Sequence, residues 1–405
     1  MRIVRLANFI APRSGGLGTS LRELGAGYLA AGHEPVLIIP GPRDSDEQTG
    51  QGRVITLRAP RLPFTGGYRV LWRRRRVTAL LRALRPDTLE VSDRSTLRWT
   101  GRWARSQGVP AVMVSHESLV ALIGLSASSL SRPVADWLNR RTARAYRQVI
   151  CTTGWAAAEF ERIGTGNLVR APLGVDLATF APGRRCRKRY APAEELLLVH
   201  CGRLSAEKKP QRSLNTLASL RAAGLPARLV IAGDGPLRAR LERRAARDGL
   251  PVSFAGFLSD RAELAALLAS ADVVIAPGPA ETFGLAAGEA LACGTPVVVS
   301  AESALPEVVG SAGASVAGED LVTGVQAVLS RPEALRRAAA RAHAEGYDWA
   351  SAVDGFLAVH LACAGDTRTG DTGAGDTGAG DTYVGDAGKR ARAGGGRHDD
   401  SGGAG

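Results

Sequence analysis

Two glutamates, Glu281 and Glu289, stand eight positions apart just after a short apolar run, and this stretch strongly constrains the fold. Residues 273–276 predict a buried strand and residues 285–291 a helix. Glu281 then follows a strand's carboxyl end, the edge of an open α/β sheet where ligands bind. Two carboxylates there can accept hydrogen bonds from sugar hydroxyls, and the amides of the helix start can face an anion. The same spacing also occurs on solvated helix faces.

Length and charge narrow the possible partners. The chain has 405 residues, enough for two domains, and a formal charge of +13, which favours nucleotides, nucleic acid or an anionic membrane surface. Its five cysteines lack CxxC spacing, so we expect free thiols in a reducing compartment and no metal site. The charged N-terminus predicts a strand rather than a signal peptide, and no apolar run is long enough to span a bilayer. We therefore expect a cytoplasmic protein.

A glycine-rich turn follows the first predicted strand. Residues 3–9 predict that strand, residues 14–18 the turn and residues 19–31 a helix. Gly15 and Gly16 leave backbone amides open to a phosphate, with no side chain in the way. An NAD-binding fold, or a turn without a ligand, would show the same pattern.

Residues 68–85 hold seven arginines and no acid, with apolar residues at near-helical spacing. This pattern predicts an amphipathic helix that packs its apolar stripe on the domain. The basic face is either solvated or binds anionic lipid, where each cation adds about 1 kcal/mol. On the second interpretation the membrane-facing residues are Arg73, Arg74, Arg75 and Arg76.

Polar clusters follow two more predicted strands. Asp93 and Arg94 come after residues 88–91, and His116 and Glu117 come after residues 111–114. Each cluster would lie at the ligand edge of the sheet. A lone histidine is more often structural than catalytic.

The second half begins with a predicted strand over residues 196–200, and Arg203 and Lys208 follow it. The departure of a nucleoside diphosphate leaves negative charge, which Arg and Lys can neutralise where no metal ligands occur. A surface charge pair is the alternative. Further along this half, Phe257 and Leu258 end the segment at residues 252–258.

These segments together resemble the retaining nucleotide-sugar glycosyltransferases of family 4, which have the EX7E motif. The strongest parts of the resemblance are the EX7E motif itself and the string Gly-Arg-Leu-Ser-Ala-Glu-Lys at residues 202–208. The resemblance implies an α/β GT-B fold, in which two Rossmann-like domains with parallel sheets face each other across a cleft. The implied parts are an acceptor-side domain (1–180), a linker (181–195), a nucleotide-sugar domain (196–345), a returning helix (346–363) and a disordered Gly-Asp-Thr-rich tail (364–405).

The resemblance also implies roles for individual residues. Arg203 and Lys208 would hold the diphosphate, Glu281 the sugar hydroxyls and Glu289 the ribose, while His116 would stabilise the sugar as positive charge grows. Gly15 and Gly16, together with the amides of Phe283, Gly284 and Leu285, would face the phosphates, and the backbone at Phe257 and Leu258 would face the base. Asp93 and Arg94 are candidate acceptor contacts.

The predicted function is retaining, metal-independent transfer of a hexose to a glycolipid, at the inner face of the cell membrane. The Ser-Asp-Arg and Ser-His-Glu strings resemble actinobacterial α-mannosyltransferases of membrane glycolipids, and this favours GDP-mannose as co-substrate, with no cofactor and no nucleic-acid partner. A phosphatidylinositol-type or glucuronosyl-diacylglycerol lipid would fit as acceptor. The alternatives are a UDP-sugar enzyme with a soluble or natural-product acceptor, a non-catalytic lipid- or nucleic-acid-binding protein, and a nicotinamide dehydrogenase.

Overall fold

The structure, a computed structural model, describes residues 1–10, 15–62, 67–116, 118–119 and 131–369. The first half of these residues forms a sheet with strand order β3-β4-β2-β1-β5-β6-β7-β8. Its strands are parallel except β3, which runs antiparallel to β4. The strands are β1 (Arg2–Leu6), β2 (Glu34–Gly41), β3 (Ser45–Thr49), β4 (Gly52–Arg58), β5 (Thr88–Val91), β6 (Ala111–Ser115), β7 (Gln148–Cys151) and β8 (Leu168–Arg170). The helices are α1 (Gly16–Ala30), α2 (Arg74–Leu84), α3 (Trp99–Ser106), α4 (Ser131–Ala143) and α5 (Gly154–Glu161).

The second half forms a wholly parallel sheet with strand order β11-β10-β9-β12-β13-β14. Its strands are β9 (Leu196–Cys201), β10 (Ala227–Ala232), β11 (Val252–Gly256), β12 (Val273–Ala276), β13 (Val297–Ser300) and β14 (Ala314–Val316). Its helices are α6 (Gln211–Ala222), α7 (Arg238–Arg247), α8 (Arg261–Ser270), α9 (Leu285–Ala292), α10 (Leu305–Val309), α11 (Val322–Leu329) and α12 (Glu333–Ala344). Helices cover both faces, which explains why β12 and β13 are apolar runs rather than alternating ones.

In each sheet the strand order reverses beside the strand that comes first in that half. In the second sheet β9 lies between β10 and β12, and in the first sheet β1 lies between β2 and β5. Loops that leave neighbouring strands at such a point go to opposite faces of the sheet and open a crevice at the carboxyl edge. The loops after β9 and β12 are those that contain Arg203, Lys208 and Glu281.

The last described helix, α13 (Trp349–Thr369), returns from the second sheet to pack on the first. It lies so close to α1 that a Cβ at Gly27 would come within 2.2 Å of Val353. Its buried His360 hydrogen-bonds Glu90 at 3.1 Å and the hydroxyl of Thr88 at 3.0 Å. The helix therefore ties the second half of the chain to the core of the first.

The two-sheet α/β prediction is confirmed, whereas two predicted helix bounds are wrong. The basic helix begins at Arg74 rather than at residue 68, because the backbone before it bonds to neighbouring segments: Leu62 donates to the carbonyl of Tyr68, and Leu71 donates to Asn8. Helix α13 continues to Thr369, past the predicted start of the tail at residue 364, since extending a formed helix adds a hydrogen bond per residue. The remaining tail lies outside the described residues.

Candidate active site

The loop after β12 holds Glu281 and turns sharply into α9 at Gly284. Gly284 has φ +72, and a Cβ there would lie 2.2 Å from Leu305, so only glycine fits this helix start. The side chains of Phe283 and Leu285 are buried. Any contribution of residues 283–285 to ligand binding would therefore come from backbone amides, which have no i−4 carbonyl within the helix.

Lys208 reaches across the crevice to this loop. The lysine ends a 3-10 turn in the loop after β9, and its Nζ forms an ion pair with Oε1 of Glu281. Both side chains are about one-quarter exposed, at 27% and 23%, so a ligand can reach them. A Cβ at Gly278, in the loop after β12, would lie 3.1 Å from the Cα of Lys208, so glycine lets these two loops pack closely.

Arg203, on the same loop as Lys208, contacts the first domain through an aromatic ring. Its guanidinium carbon lies 4.5 Å from the ring centroid of Tyr68, within the range of a cation–π interaction. Tyr68 in turn makes an edge contact with Phe9, with 6.0 Å between ring centroids. Phe9 has a left-handed φ of +58, which is uncommon for an aromatic residue and is a feature of ligand-binding segments.

Glu289 lies in α9 beneath the loop and is 8% exposed. Its Oε1 is 3.8 Å from Arg261, which also contacts Asp176 at 3.4 Å. Burial raises the pKa of Glu289 to about 7, against the opposing effect of the Arg261 charge. The second glutamate of the motif is therefore poised between its neutral and charged forms near neutral pH.

Gly15 and Gly16 begin α1 at the carboxyl edge of the first sheet. A Cβ at either position would meet none of the described residues within 4 Å, so those residues leave space beside these glycines. Glycine is not needed there for packing or for a positive φ, as it is at Gly284. The open backbone leaves room for a phosphate at the helix start.

His116 follows β6 and is half-buried. Its main-chain carbonyl accepts a hydrogen bond of 2.6 Å from the hydroxyl of Thr282, the residue after Glu281. Desolvation lowers the pKa of the imidazole to about 4, so the ring is neutral at pH 7. Glu117 lies outside the described residues.

Asp93 and Arg94 are buried, at 2% exposure each, and bond within the first domain. Asp93 accepts hydrogen bonds from the amides of Ser95 and Thr96 and from the Asn8 side chain. Arg94 donates to Asn139 and forms an ion pair with Glu159 at 3.3 Å. These contacts hold the loops at the sheet edge in place, and direct acceptor binding by either residue stays a prediction.

The remaining predicted residues lie at the edges of the two domains. Phe257 is 38% exposed just after β11, and Leu258 is half-buried. Arg73 to Arg76 are exposed at the start of α2, whose Val77, Leu81 and Leu84 are buried. Arg73 lies over Trp72 and Arg74 over Trp99, while Arg76 forms an ion pair with Asp44.

Several residues of the site were not predicted from the sequence. Thr282, Tyr68 and Arg261 contact predicted residues, and Asp176 pairs with Arg261. Thr282 lies inside the EX7E motif, but no sequence pattern indicates any of these contacts. Within the described ranges no three His, Cys, Asp or Glu side chains are grouped as metal ligands would be. No described helix is both long enough and apolar enough to cross a membrane.

Both halves of the chain match family models of glycosyltransferases. The family model "Glycosyl transferase 4-like domain" matches residues 15–174, and "Glycosyl transferases group 1" matches residues 186–345. The GDP-mannose-dependent α-(1-6)-phosphatidylinositol dimannoside mannosyltransferase of Mycobacterium tuberculosis is 53% identical over 91% of this chain and 98% of its own. The GDP-mannose-dependent α-mannosyltransferase of Corynebacterium glutamicum is 28% identical over 74% of this chain and 72% of its own.

Solved structures agree on the fold. The sucrose-phosphate synthase of Thermosynechococcus elongatus superposes with a TM-score of 0.73 at 23% identity, covering 90% of this chain and all of its own. At that identity the likeness concerns the GT-B fold alone. The two family matches and the mycobacterial relative leave the dehydrogenase and non-catalytic alternatives without support. The chain belongs to the family 4 glycosyltransferases.

Proposed function

We propose that the chain transfers mannose from GDP-mannose, with retention at the anomeric carbon, to a hydroxyl of a phosphatidylinositol mannoside or similar glycolipid. The observation that carries the transfer reaction is the ion pair of Lys208 and Glu281, which joins the loops after β9 and β12 at the crevice. Donor and acceptor rest on the relative of 53% identity, whose name specifies GDP-mannose and phosphatidylinositol dimannoside. The same name favours an α-(1-6) linkage.

In this proposal the second domain holds the donor. Arg203 and Lys208 neutralise the diphosphate, and Glu281 accepts hydrogen bonds from the sugar hydroxyls once Lys208 turns toward the phosphates. The amides at Gly15, Gly16 and the start of α9 add donors for phosphate oxygens. Glu289 accepts from the ribose hydroxyls, and the backbone at Phe257 and Leu258 faces the base.

The chemical step needs no covalent enzyme intermediate. The acceptor oxygen bonds to the anomeric carbon on the face from which the diphosphate leaves, and the leaving phosphate oxygen takes the hydroxyl proton. Positive charge builds on the sugar during the step, while negative charge builds on the diphosphate. Because the His116 imidazole is neutral, it places no positive charge beside the sugar that would oppose this build-up. Arg203 and Lys208 stabilise the negative charge of the departing phosphate.

Helix α2 supports a peripheral membrane location at the cytoplasmic face. Its first turn holds Arg74, Arg75 and Arg76 and no acid, although cations are unfavourable at the positive end of a helix dipole. An anionic surface would offset this repulsion and bring the cleft to a lipid acceptor. No nucleic acid or cofactor takes part in the proposed reaction.

Ligand-dependent melting of the purified chain tests the donor. The panel is GDP, UDP, ADP, GDP-mannose, UDP-glucose and NAD, and a ligand at a hundred times its Kd adds about 2.7 kcal/mol of stability. Stabilisation by GDP and GDP-mannose alone supports the proposal, whereas stabilisation by UDP species overturns the mannosyl donor.

A product assay tests the acceptor and the stereochemistry. The chain is incubated with GDP-mannose and phosphatidylinositol dimannoside in detergent, and NMR of the product gives the configuration of the new linkage. We expect an α-mannoside, and Glu281→Ala should abolish its formation. Glu345→Ala, which removes an exposed carboxylate in the same domain, serves as the matched control. A β-linked product would overturn the retaining mechanism.

A further inference from the structure

A groove between α3 and α4 in the first domain is lined almost entirely by arginine. It has a volume of about 230 Å3. Its lining residues are Arg98, Arg102, Arg105, Arg141, Arg144 and Ala145. None of these residues belongs to the donor site described above.

The spacing of the arginines gathers their charge in one place. Arg98 directly precedes α3, and Arg102 and Arg105 follow it at helical spacing, so the three share one side of this helix. Arg141 lies in the last turn of α4, and Arg144 directly follows that helix. Burial, and then the charges of Arg141 and Arg102, lower the pKa of Arg98 from its ordinary value. No carboxylate occurs among the described lining residues. Like charges held this close destabilise the fold unless an anion lies between them.

Hydrogen-bond donors in the groove are already oriented. Nη1 of Arg98 is buried and has no hydrogen-bond partner among the described residues. Arg105 donates to the carbonyl of Arg144 at 2.5 Å, which fixes one side of the groove. The nearby Asp93, whose charge acts on Arg98 in the opposite sense, is already bonded to Ser95 and Thr96. Planar guanidiniums with free N–H groups are suited to bidentate binding of phosphate.

Exposed apolar side chains flank the groove. Trp137 is 52% exposed and Val134 is 43% exposed on α4, and Arg141 lies over the Trp137 ring at 4.6 Å. On the other side Trp72 is 56% exposed, and Arg74 of α2 lies over Trp99 of α3. A basic band with exposed tryptophans therefore runs from α2 across α3 to α4. Tryptophan is enriched at the boundary between lipid headgroups and hydrocarbon.

We propose that this groove binds the phosphate of an anionic lipid headgroup, while Trp137 and Val134 enter the membrane interface beside it. The inference rests on the membrane docking proposed above and adds a second contact to α2. Two contacts would fix the rotation of the first domain on the membrane, whereas α2 alone would leave the domain free to pivot. The exposed Val134 beside Trp137 favours lipid over a soluble anion, because an aliphatic side chain gains nothing from a hydrated phosphate.

Vesicle flotation of the full chain tests the groove. The vesicles are phosphatidylcholine with or without phosphatidylinositol. Arg102→Gln/Arg141→Gln is compared with Arg240→Gln/Arg243→Gln, which removes the same charge from exposed positions of α7. At about 1 kcal/mol for each arginine, the groove variant should bind phosphatidylinositol vesicles roughly 30-fold more weakly than the unmodified chain. The control should stay within about threefold, because distant charges are screened.

Every result of the vesicle experiment either supports or contradicts lipid binding by the groove. Unchanged vesicle binding by the groove variant, or an equal loss in the control, overturns the proposal. Failure of the unmodified chain to bind phosphatidylinositol vesicles overturns both the groove and the membrane docking, while stabilisation by GDP-mannose still tests the sugar transfer separately. Binding of DNA or inorganic phosphate at the groove without vesicle binding overturns the lipid assignment. Melting temperature and stabilisation by GDP confirm that both variants are folded.

Discussion

The hydroxyl of Thr282 donates a hydrogen bond of 2.6 Å to the main-chain carbonyl of His116, and this bond joins the two domains beside the crevice. The carbonyl of Thr282 in turn accepts a hydrogen bond of 2.9 Å from the hydroxyl of Thr153 in the first domain. Thr282 directly follows Glu281. One residue therefore fixes the distance between the glutamate and the histidine proposed to contact the transferred sugar.

Glu307 makes a second bridge between the domains. Its carboxylate accepts hydrogen bonds from the amides of Gly154 at 2.9 Å and Trp155 at 3.2 Å, at the start of α5. It also forms an ion pair with Arg170 of the first domain. A carboxylate at a helix N-terminus is favourable, so these contacts stabilise the observed arrangement of the two domains.

Replacing Thr282 by valine should slow turnover while leaving nucleotide binding nearly intact. Valine keeps the volume of threonine but removes the hydroxyl, so the carbonyl of His116 loses its partner from the other domain. A net hydrogen bond is worth about 1 kcal/mol, which corresponds to roughly a fivefold loss in kcat. Thr282→Ser, which keeps the hydroxyl, should restore most of the rate. An equal loss of GDP affinity in Thr282→Val would show instead that the donor site itself is disturbed.

Lys208→Met should lower kcat/KM by about 10²- to 10³-fold, because removal of one preorganised charge-stabilising group has an effect of that size. The affinity for GDP should fall as well, since Lys208 is proposed to contact the diphosphate. Lys209→Met removes the same charge from the adjacent residue, whose Nζ lies 3.9 Å from Glu319 rather than at the crevice. Similar losses in both variants would point to the general charge of the loop.

The raised pKa of Glu289 predicts how stability depends on pH. Between its unfolded pKa near 4.5 and its folded pKa of about 7, the folded protein keeps a proton that the unfolded chain releases. The free energy of unfolding therefore falls as pH rises through this window, by up to about 3 kcal/mol from this group. Glu289→Gln lacks the contribution, so its stability advantage over the unmodified chain should grow from pH 5 to pH 8. Parallel denaturation midpoints across that range would contradict the shift.

The same group predicts weaker nucleotide binding in mild acid. A protonated Glu289 offers fewer lone pairs to the ribose hydroxyls, so the Kd of GDP should rise as pH falls through about 7. Calorimetric titration with GDP at several pH values measures this dependence. In Glu289→Gln the affinity should be low and nearly independent of pH. The phosphates of GDP titrate in the same pH region. The effect of Glu289 is therefore the difference in the pH dependence of the Kd between the unmodified chain and Glu289→Gln.

Local sequence patterns were enough to place the strands and the loops of the site. The predicted strands at Thr88–Val91 and Val273–Ala276 match β5 and β12. The second is an apolar run, as expected for a parallel strand that is buried on both faces. The contacts between domains could not be derived in this way. The bond from Thr282 to His116 joins residues 166 positions apart, and no local pattern of either segment indicates it. The position of Asp93 at the sheet edge could likewise be predicted from the sequence, but the hydrogen bonds that its carboxylate accepts could not.

His360 in α13 should contribute strongly to stability through its bonds to Glu90 and Thr88 in the core of the first domain. Glu90 also pairs with Arg5 at 2.7 Å and accepts from Tyr28 at 2.8 Å, so removal of the imidazole leaves a fully buried network short of one partner. We expect His360→Ala to lower the free energy of unfolding by about 2–4 kcal/mol in chemical denaturation. Leu361→Ala changes the next residue, which is 53% exposed, and should stay within about 0.5 kcal/mol.

In His360→Ala the amides of α13 should also exchange hydrogen faster than those of β12, because this helix holds to the first domain partly through that side chain. Equal exchange rates in α13 with and without the histidine would mean that apolar packing against α1 holds the helix by itself.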